Sequence, residues 1–151
     1  MPLKIREFND NDINGIYKVE LLSFGSGAYS YEMIDEMLHD KNSITLVLDN
    51  NNIIGYATAV KLNSSSMDVE SIAVIPEYQG HGYGKLLLSS LEDKMRGLGY
   101  LYSILEVRSM NYRAISMYKK NGYREIEYIK NYYEVNDPGG RDAIRMIKSL
   151  H

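Results

Sequence analysis

Cysteine is absent from the 151 residues. That excludes a disulfide framework, thiolate metal sites and a cysteine nucleophile. Tryptophan is absent too, and fourteen tyrosines stand against two phenylalanines. A phenol carries a polar tip that needs a partner or water, so many of these rings are expected to line clefts and rims. Long apolar runs are also missing: Ile44–Leu48 and Leu86–Leu88 are among the longest, far short of the ~18 residues of a membrane span. Positive charge is not in excess. Seventeen basic residues against twenty acidic give a formal charge of -3, the wrong sign for non-specific nucleic-acid binding. His39, His81 and His151 have no spacing that suggests a metal site, so no metal is expected. Met1-Pro2-Leu3-Lys4 lacks the apolar stretch of a secretory signal, and the cytoplasm is the expected compartment.

What is present reads as one domain over residues 1–151. Hydrophobic residues make 44% and charged residues 25%, usual for a globular chain. A chain of this length buries about two-thirds of its unfolded surface, enough for a core without staples. No repeat is visible, and the only low-complexity tract is Asn63-Ser64-Ser65-Ser66. Leu3 and Ile5 alternate with Lys4 and Arg6 as a half-buried strand. Asp10 is placed to cap a helix with the apolar face Ile13, Ile16, Tyr17, Leu21, ended by Ser23–Gly27. Ser30 is placed to cap a second helix carrying Met33, Ile34, Met37 and Leu38. Ile44–Asp49 and Ile53–Leu62 flank Asn50-Asn51-Asn52 as a hairpin. Met67–Ile75 is a further strand. From about Gly84 a helix places Leu87, Leu88, Leu91, Met95 and Leu98 on one face. Tyr100–Arg108 is a strand, Asn111–Lys120 a short helix, and Gly122 stands where a left-handed cap is expected. Strands Tyr123–Tyr133 and Asp142–Lys148 close the chain around a turn over Asn136–Gly140. The order β-α-α-β-β-β-α-β-α-β-β describes an α/β or α+β fold with a mixed sheet.

The strongest local signal is Gln79-Gly80-His81-Gly82-Tyr83-Gly84-Lys85, between a strand and a helix. Three glycines let backbone N–H groups turn inward, and a helix start adds a positive dipole end, which together suit a phosphate. The nucleoside-triphosphate loop fails twice, because position 79 is Gln and Leu86 stands where Ser or Thr is required. The dinucleotide fingerprint fails because Lys85 occupies its third glycine position.

The segment Ser71–Pro76 leading into Gln79-x-x-Gly82-x-Gly84 resembles the acetyl-coenzyme A loop of the Gcn5-related N-acetyltransferases (GNAT). Asn111-x-x-Ala114-x-x-x-Tyr118-x-Lys120-x-Gly122-Tyr123 resembles the second half of that family's cofactor site. The element order is similar to the family's as well, so the resemblance covers nearly the whole chain. Leu105-Glu106-Val107-Arg108, Asn131-Tyr132-Tyr133 and Asp142-Ala143 resemble its protein N-terminal acetyltransferase branch. That branch includes the bacterial ribosomal-protein alanine acetyltransferases and the archaeal N-terminal acetyltransferases. The resemblance implies a mostly antiparallel mixed sheet flanked by helices, with splayed central strands. It implies acetyl-CoA held by Ile72, Ala73 and Val74 along one strand and by the N–H groups of Gly80, His81, Gly82, Tyr83, Gly84 and Lys85, with Gln79 opening the loop. Asn111 would bond the cofactor arm, the Val74 N–H would face the thioester carbonyl, and Tyr118 would act as general acid for the departing sulfur. Alternatively, Tyr118 is a helix residue facing the core.

The attacking group must then be a free amine. A peptide α-amine titrates at about 7.7–8.0, against about 10.4 for lysine, so it needs modest help from a base. Glu106 is the leading candidate, on a strand expected to be central, where desolvation raises a carboxyl pKa. The alternative is a structural pair with Arg108 on the same strand face. Asp68, six residues before Val74, is the second candidate base, with Glu70 on its face; both could instead be edge-strand charges in water. One departure stands out. Where many branch members carry a Pro-Glu-Asn-Tyr-like stretch, this chain has Ser26-Gly27-Ala28-Tyr29, so the glutamate position is Gly27. Tyr29, Tyr132 and Tyr133 are the residues expected to wall a peptide slot. The activity expected is direct acetyl transfer to a protein α-amino group, without nucleic-acid or membrane partners; the oligomeric state is left open, with a monomer favoured over a dimer. A small-amine acceptor such as a polyamine or amino sugar, and a non-catalytic cofactor-binding subunit, are the other readings.

Overall fold

The computed structural model describes residues 3–134 and 139–151. Strands form where apolar residues alternate or run continuously: β1 Lys4–Glu7, β2 Ser43–Asp49, β3 Ile53–Lys61, β4 Ser66–Val74, β5 Tyr102–Arg108, β6 Arg124–Ile129 and β7 Ala143–Ser149. Helices α1 Ile13–Phe24, α2 Tyr31–His39, α3 Tyr83–Gly97 and α4 Tyr112–Lys120 fill the connections in the expected order. The strands make one sheet, β1-β2-β3-β4-β5-β7-β6. Every neighbouring pair is antiparallel except β4 and β5, which are parallel. A parallel pair needs a crossover between its strands, and α3 supplies it.

The sheet is covered on both faces, which is why β2 and β3 read as apolar runs rather than clean alternation. On one face Leu46, Leu48, Met67 and Leu105 pack against Leu87, Leu88, Leu91 and Met95 of α3 and Ile115 of α4. On the other, Val47, Tyr56 and Ala73 pack against Ile13, Ile16 and Val19 of α1 and Ile34 and Leu38 of α2. Each such fully buried side chain contributes roughly 1.5–3 kcal/mol of transfer free energy.

Several local signals act as read. Ser30 Oγ accepts the Met33 N–H at 3.2 Å, and Gly122 is left-handed at φ 96°. Others shift. Asn9, not Asp10, caps the start of the first helical segment, its Oδ1 accepting the Asn11 N–H at 3.0 Å. A 3-10 turn over Asp10–Asp12 precedes α1, and Arg6 clamps Asp12 with two 2.8 Å bonds. Leu21, Met33 and Leu98 stand exposed rather than in the core, because the buried stripes run through Val19 and Glu20, Ile34 and Leu38, and Met95. The strand expected over Tyr123–Tyr133 ends at Ile129, since Asn131 is left-handed (φ 54°) and turns the chain. Of the turn expected over 136–140, residues 136–138 lie outside the described residues.

Two irregularities prepare the site. Thr58 pairs with Ser71 and Ala59 with Val69, so Glu70 is the extra residue of a β-bulge. The β4–β5 pairing runs from Ser66↔Tyr102 to Val69↔Leu105 and stops there, although the strands continue to Val74 and Arg108. Beyond the bulge the two central strands have parted.

Candidate active site

A cleft of about 910 Å³ opens where the strands part. The Ile75 N–H donates to Ile54 O of β3 at 3.0 Å. Successive amides of a strand point to opposite edges, so the N–H groups of Val74 and Ile72 are directed into the gap. Ala73, expected beside them, does not line the cleft: its N–H, like that of Ile75, falls on the β3 edge, and its side chain is buried against α1 and α2.

At one end of the cleft lies the glycine loop. Gly82 is left-handed at φ 83°, with no atom within 4 Å of where a Cβ would stand. That conformation turns the chain straight into α3, whose first-turn amides have no intrahelical acceptor. Gly80, Gly82, Tyr83, Gly84 and Lys85 line the cleft, making an anion cradle at a helix N-terminus. The Gln79 side chain braces this loop, donating to Val74 O at 2.8 Å. His81 is exposed and lies outside the lining, its ring 5.9 Å from that of Tyr83. Asn111 lines the far wall and caps α4, its Oδ1 accepting the Ala114 N–H at 3.2 Å; its amide NH₂ is the group left for a ligand.

Tyr118 reaches the same cleft from α4. Burial pushes its phenol up to about 12, so it is a proton donor at neutral pH. Its ring packs edge-on to Tyr123, centroids 5.8 Å apart. Tyr123 is itself fixed by buried bonds to Ser103 Oγ at 2.7 Å and Glu92 at 2.8 Å, and Lys148 closes on Glu92 at 2.8 Å. Tyr118 thus lines the cleft and also packs against the core.

The opposite wall is acidic. Glu106 and Glu70 line it, and the Glu106 side chain is only 8% exposed. Its cation is Arg145, directly opposite in the β5–β7 register, at 2.9 Å; Arg145 also holds Glu127 at 2.6 Å. The alternative of a structural pair with Arg108 is not the contact seen: Arg108 donates to Gly140 O at 2.6 Å and lies 4.0 Å over the Tyr133 ring. Asp68 is not an edge charge in water. It lies buried in a central strand behind Glu106, its Oδ1 without a hydrogen-bond partner among the described residues. Burial, then the charge of Glu106 and a hydrogen bond with it, push its carboxyl well above the usual range, to about 9. Two carboxyls share a hydrogen bond only through a proton, and Asp68 holds that proton at neutral pH. Glu70 is raised as well, by burial and then by Glu106.

Tyr29 and Tyr133 line this acidic end, whereas Tyr132 stands 44% exposed outside it, its ring 5.0 Å from that of Tyr133. Burial, with neighbouring negative charge, pushes Tyr29 and Tyr132 up to about 12. The sequence reading missed Arg145, Glu20 and Ser71. Glu20 and Ser71 line the cleft beside Tyr29. One signal for Glu20 was present: it falls one helical turn after Ile16, a charge on the apolar face.

The arrangement offers an anion cradle, strand amides facing a gap, a protonated phenol and a carboxylate across the same cleft. It suits transfer of an acyl group from a phosphate-bearing donor onto an amine. Residues 12–123 match the family described as the Acetyltransferase (GNAT) family. The chain is 37% identical over 100 residues, 66% of its length and 67% of the other, to ribosomal protein bS18-alanine N-acetyltransferase of Haemophilus influenzae. It is 28% identical over 142 residues, 94% of this chain and 92% of the other, to a putative enzyme of that name from Bacillus subtilis. Its fold superposes on the crystal structure of the ribosomal-protein-S18-alanine N-acetyltransferase from Escherichia coli with a TM-score of 0.89 at 26% identity, covering 99% of this chain and 94% of that one.

Proposed function

The chain belongs to the GNAT acetyltransferase family and is an acetyl-CoA-dependent N-acetyltransferase, and from that premise we propose that it acetylates the free α-amino group of protein N-termini. The observation that carries this reading is the parted β4–β5 gap, which has Tyr118 on one side and Glu106 on the other within a single cleft. The Haemophilus influenzae relative is named for N-acetylation of alanine in a ribosomal protein, which supports a protein acceptor here. On this reading the chain is a single acetyltransferase domain that works in the cytoplasm as a monomer.

Acetyl-CoA supplies an activated thioester carbonyl. The loop amides and the α3 N-terminus hold its pyrophosphate, while the Ile72 and Val74 amides pair with its extended arm. The Val74 N–H stabilises the carbonyl oxygen as negative charge grows there, the kind of preorganised donor worth ~3 kcal/mol. Glu106 takes the proton that the attacking amine sheds. Tyr118 gives its proton to the leaving sulfur. Asp68, protonated and buried, holds Glu106 through the shared hydrogen bond and does not itself meet the acceptor. Tyr29, Tyr133 and Glu70 form the mouth through which a peptide end enters, with Tyr132 at its rim.

Thiol release from acetyl-CoA, measured against peptides of varied first residue with spermidine and free lysine alongside, tests the reading. Peptide-dependent release that disappears when the α-amine is blocked is the expected result. The acidic wall of Glu70 and Glu106 would also receive a polycationic small amine, and release with spermidine alone would make that the function.

A further inference from the structure

Beneath the acceptor mouth lies a carboxylate that the chemistry above does not use. Glu20 of α1 is 2% exposed. Its Oε1 accepts from the Tyr56 hydroxyl at 2.6 Å, and its Oε2 accepts from the backbone N–H of Tyr29 at 2.9 Å. Ser71 Oγ stands 3.0 Å from the same Tyr56 hydroxyl and 3.5 Å from Glu20 Oε1. One buried side chain therefore joins three elements: α1, the segment leading to Tyr29, and the β3–β4 pair at its bulge.

That junction lies under the acceptor wall. Ser71 immediately follows Glu70, the extra residue of the bulge, and the Tyr29 hydroxyl donates to Glu70 O at 3.4 Å. The segment Gly25–Ala28 has almost no apolar side chain with which to anchor itself, and none of Gly25–Gly27 is buried. Its position depends on what grips its end, and the grip on the Tyr29 amide is Glu20. Burying a carboxylate carries a large desolvation cost. Here that cost is offset by charge-assisted bonds whose loss would leave the Tyr29 N–H unsatisfied and the Tyr56 hydroxyl with Ser71 alone.

We propose that Glu20 is a positioning residue for the acceptor: it fixes Tyr29 over the Glu70 bulge and so sets where an incoming amine-bearing chain sits relative to Glu106. The inference rests on the acceptor reading of the cleft's acidic end. It assigns to a side chain of α1 the task of holding the entrance whose Gly27 carries no side chain.

Two variants and two readouts test it. Glu20→Ala raises the peptide KM about tenfold or more, with a smaller fall in kcat, leaves acetyl-CoA affinity by calorimetry within twofold, and accelerates hydrogen exchange at the Tyr29 amide. Glu20→Gln, which still accepts from that amide, recovers most of the loss in both readouts. If the alanine variant fails to fold, Glu20→Met takes its place, since it fills the volume without an acceptor. A folded variant with wild-type peptide KM and wild-type Tyr29 exchange overturns the proposal. Should wild-type protein acetylate no peptide, the protein-acceptor reading falls on its own. The KM comparison is then made with the amine it does acetylate, and an unchanged KM there, with unchanged exchange, overturns the positioning role.

Discussion

Replacing Asp68 by Asn should make the protein more stable, and increasingly so as the pH rises. Burial, then the charge of Glu106 and a hydrogen bond with it, push the folded carboxyl up to about 9, against 3.8 unperturbed. Between those limits the folded chain keeps a proton that the unfolded chain gives up, so stability falls as pH increases. The slope for one full proton is about 1.4 kcal/mol per pH unit. From pH 6 to pH 8 that amounts to about 2.7 kcal/mol, or roughly 5–10 °C in Tm for a chain of this size. Asn has the shape of the protonated acid, its amide N–H can stand in for the shared proton, and it does not titrate. The advantage of Asp68→Asn over wild type in thermal unfolding should therefore widen by up to that amount between pH 6 and pH 8. A Tm difference that stays constant across this range, or a variant less stable than wild type throughout, would refute the shared-proton assignment. Turnover adds a second reading: a loss smaller than tenfold fits an Asp68 that holds Glu106, and a loss as deep as that of a Glu106 variant would put Asp68 on the proton path.

Glu106→Gln should lower turnover by roughly 10²–10⁴, the range for loss of a general base, with acetyl-CoA affinity by calorimetry within a few-fold. Full activity at neutral pH would remove Glu106 from the chemistry. Tyr118→Phe keeps the ring contact with Tyr123 and removes the proton offered to sulfur, so kcat should fall far more than cofactor affinity; normal turnover would leave Tyr118 as packing. Gly82→Val forces a β-branched residue into a left-handed conformation costing ~1–2 kcal/mol and sets its side chain over the cradle. Acetyl-CoA binding should be lost in the folded variant, and unchanged affinity would dismiss the loop as the pyrophosphate site.

The order of elements was legible because it depends on local spacing: the apolar runs of β2 and β3 around their Asn-rich turn, the Leu87–Met95 stripe, the Ser30 cap and the left-handed Gly122 are all set by near neighbours. What was not legible depends on register between strands far apart in sequence. Arg145 meets Glu106 across 39 positions, and only the β5–β7 pairing decides that it, rather than nearby Arg108, supplies the cation. For Asp68, the second candidate base, an edge charge in water stayed open as the alternative, because nothing local reveals that β4 lies mid-sheet beside a parallel partner brought in by α3. The spacing of the glycine loop marked it as an anion site and its resemblance to the family's loop pointed to acetyl-CoA, whereas Glu20 was passed over by a periodicity that followed apolar residues only. On the proposed reading, the cofactor half of the site is written in contiguous motifs, while the acceptor half draws on α1, the bulge in β4, and β7, which only the built sheet brings together.

The central claim is that this cleft acetylates a protein α-amine. It is tested most directly by incubating the enzyme with acetyl-CoA and a lysine-containing peptide having a free N-terminus, then locating the added acetyl group by fragmentation mass spectrometry. The account predicts acetylation at the first residue's nitrogen, none on the lysine side chain, and none on the same peptide with its N-terminus blocked. Acetyl on lysine alone, or transfer to spermidine with no peptide product, would contradict it.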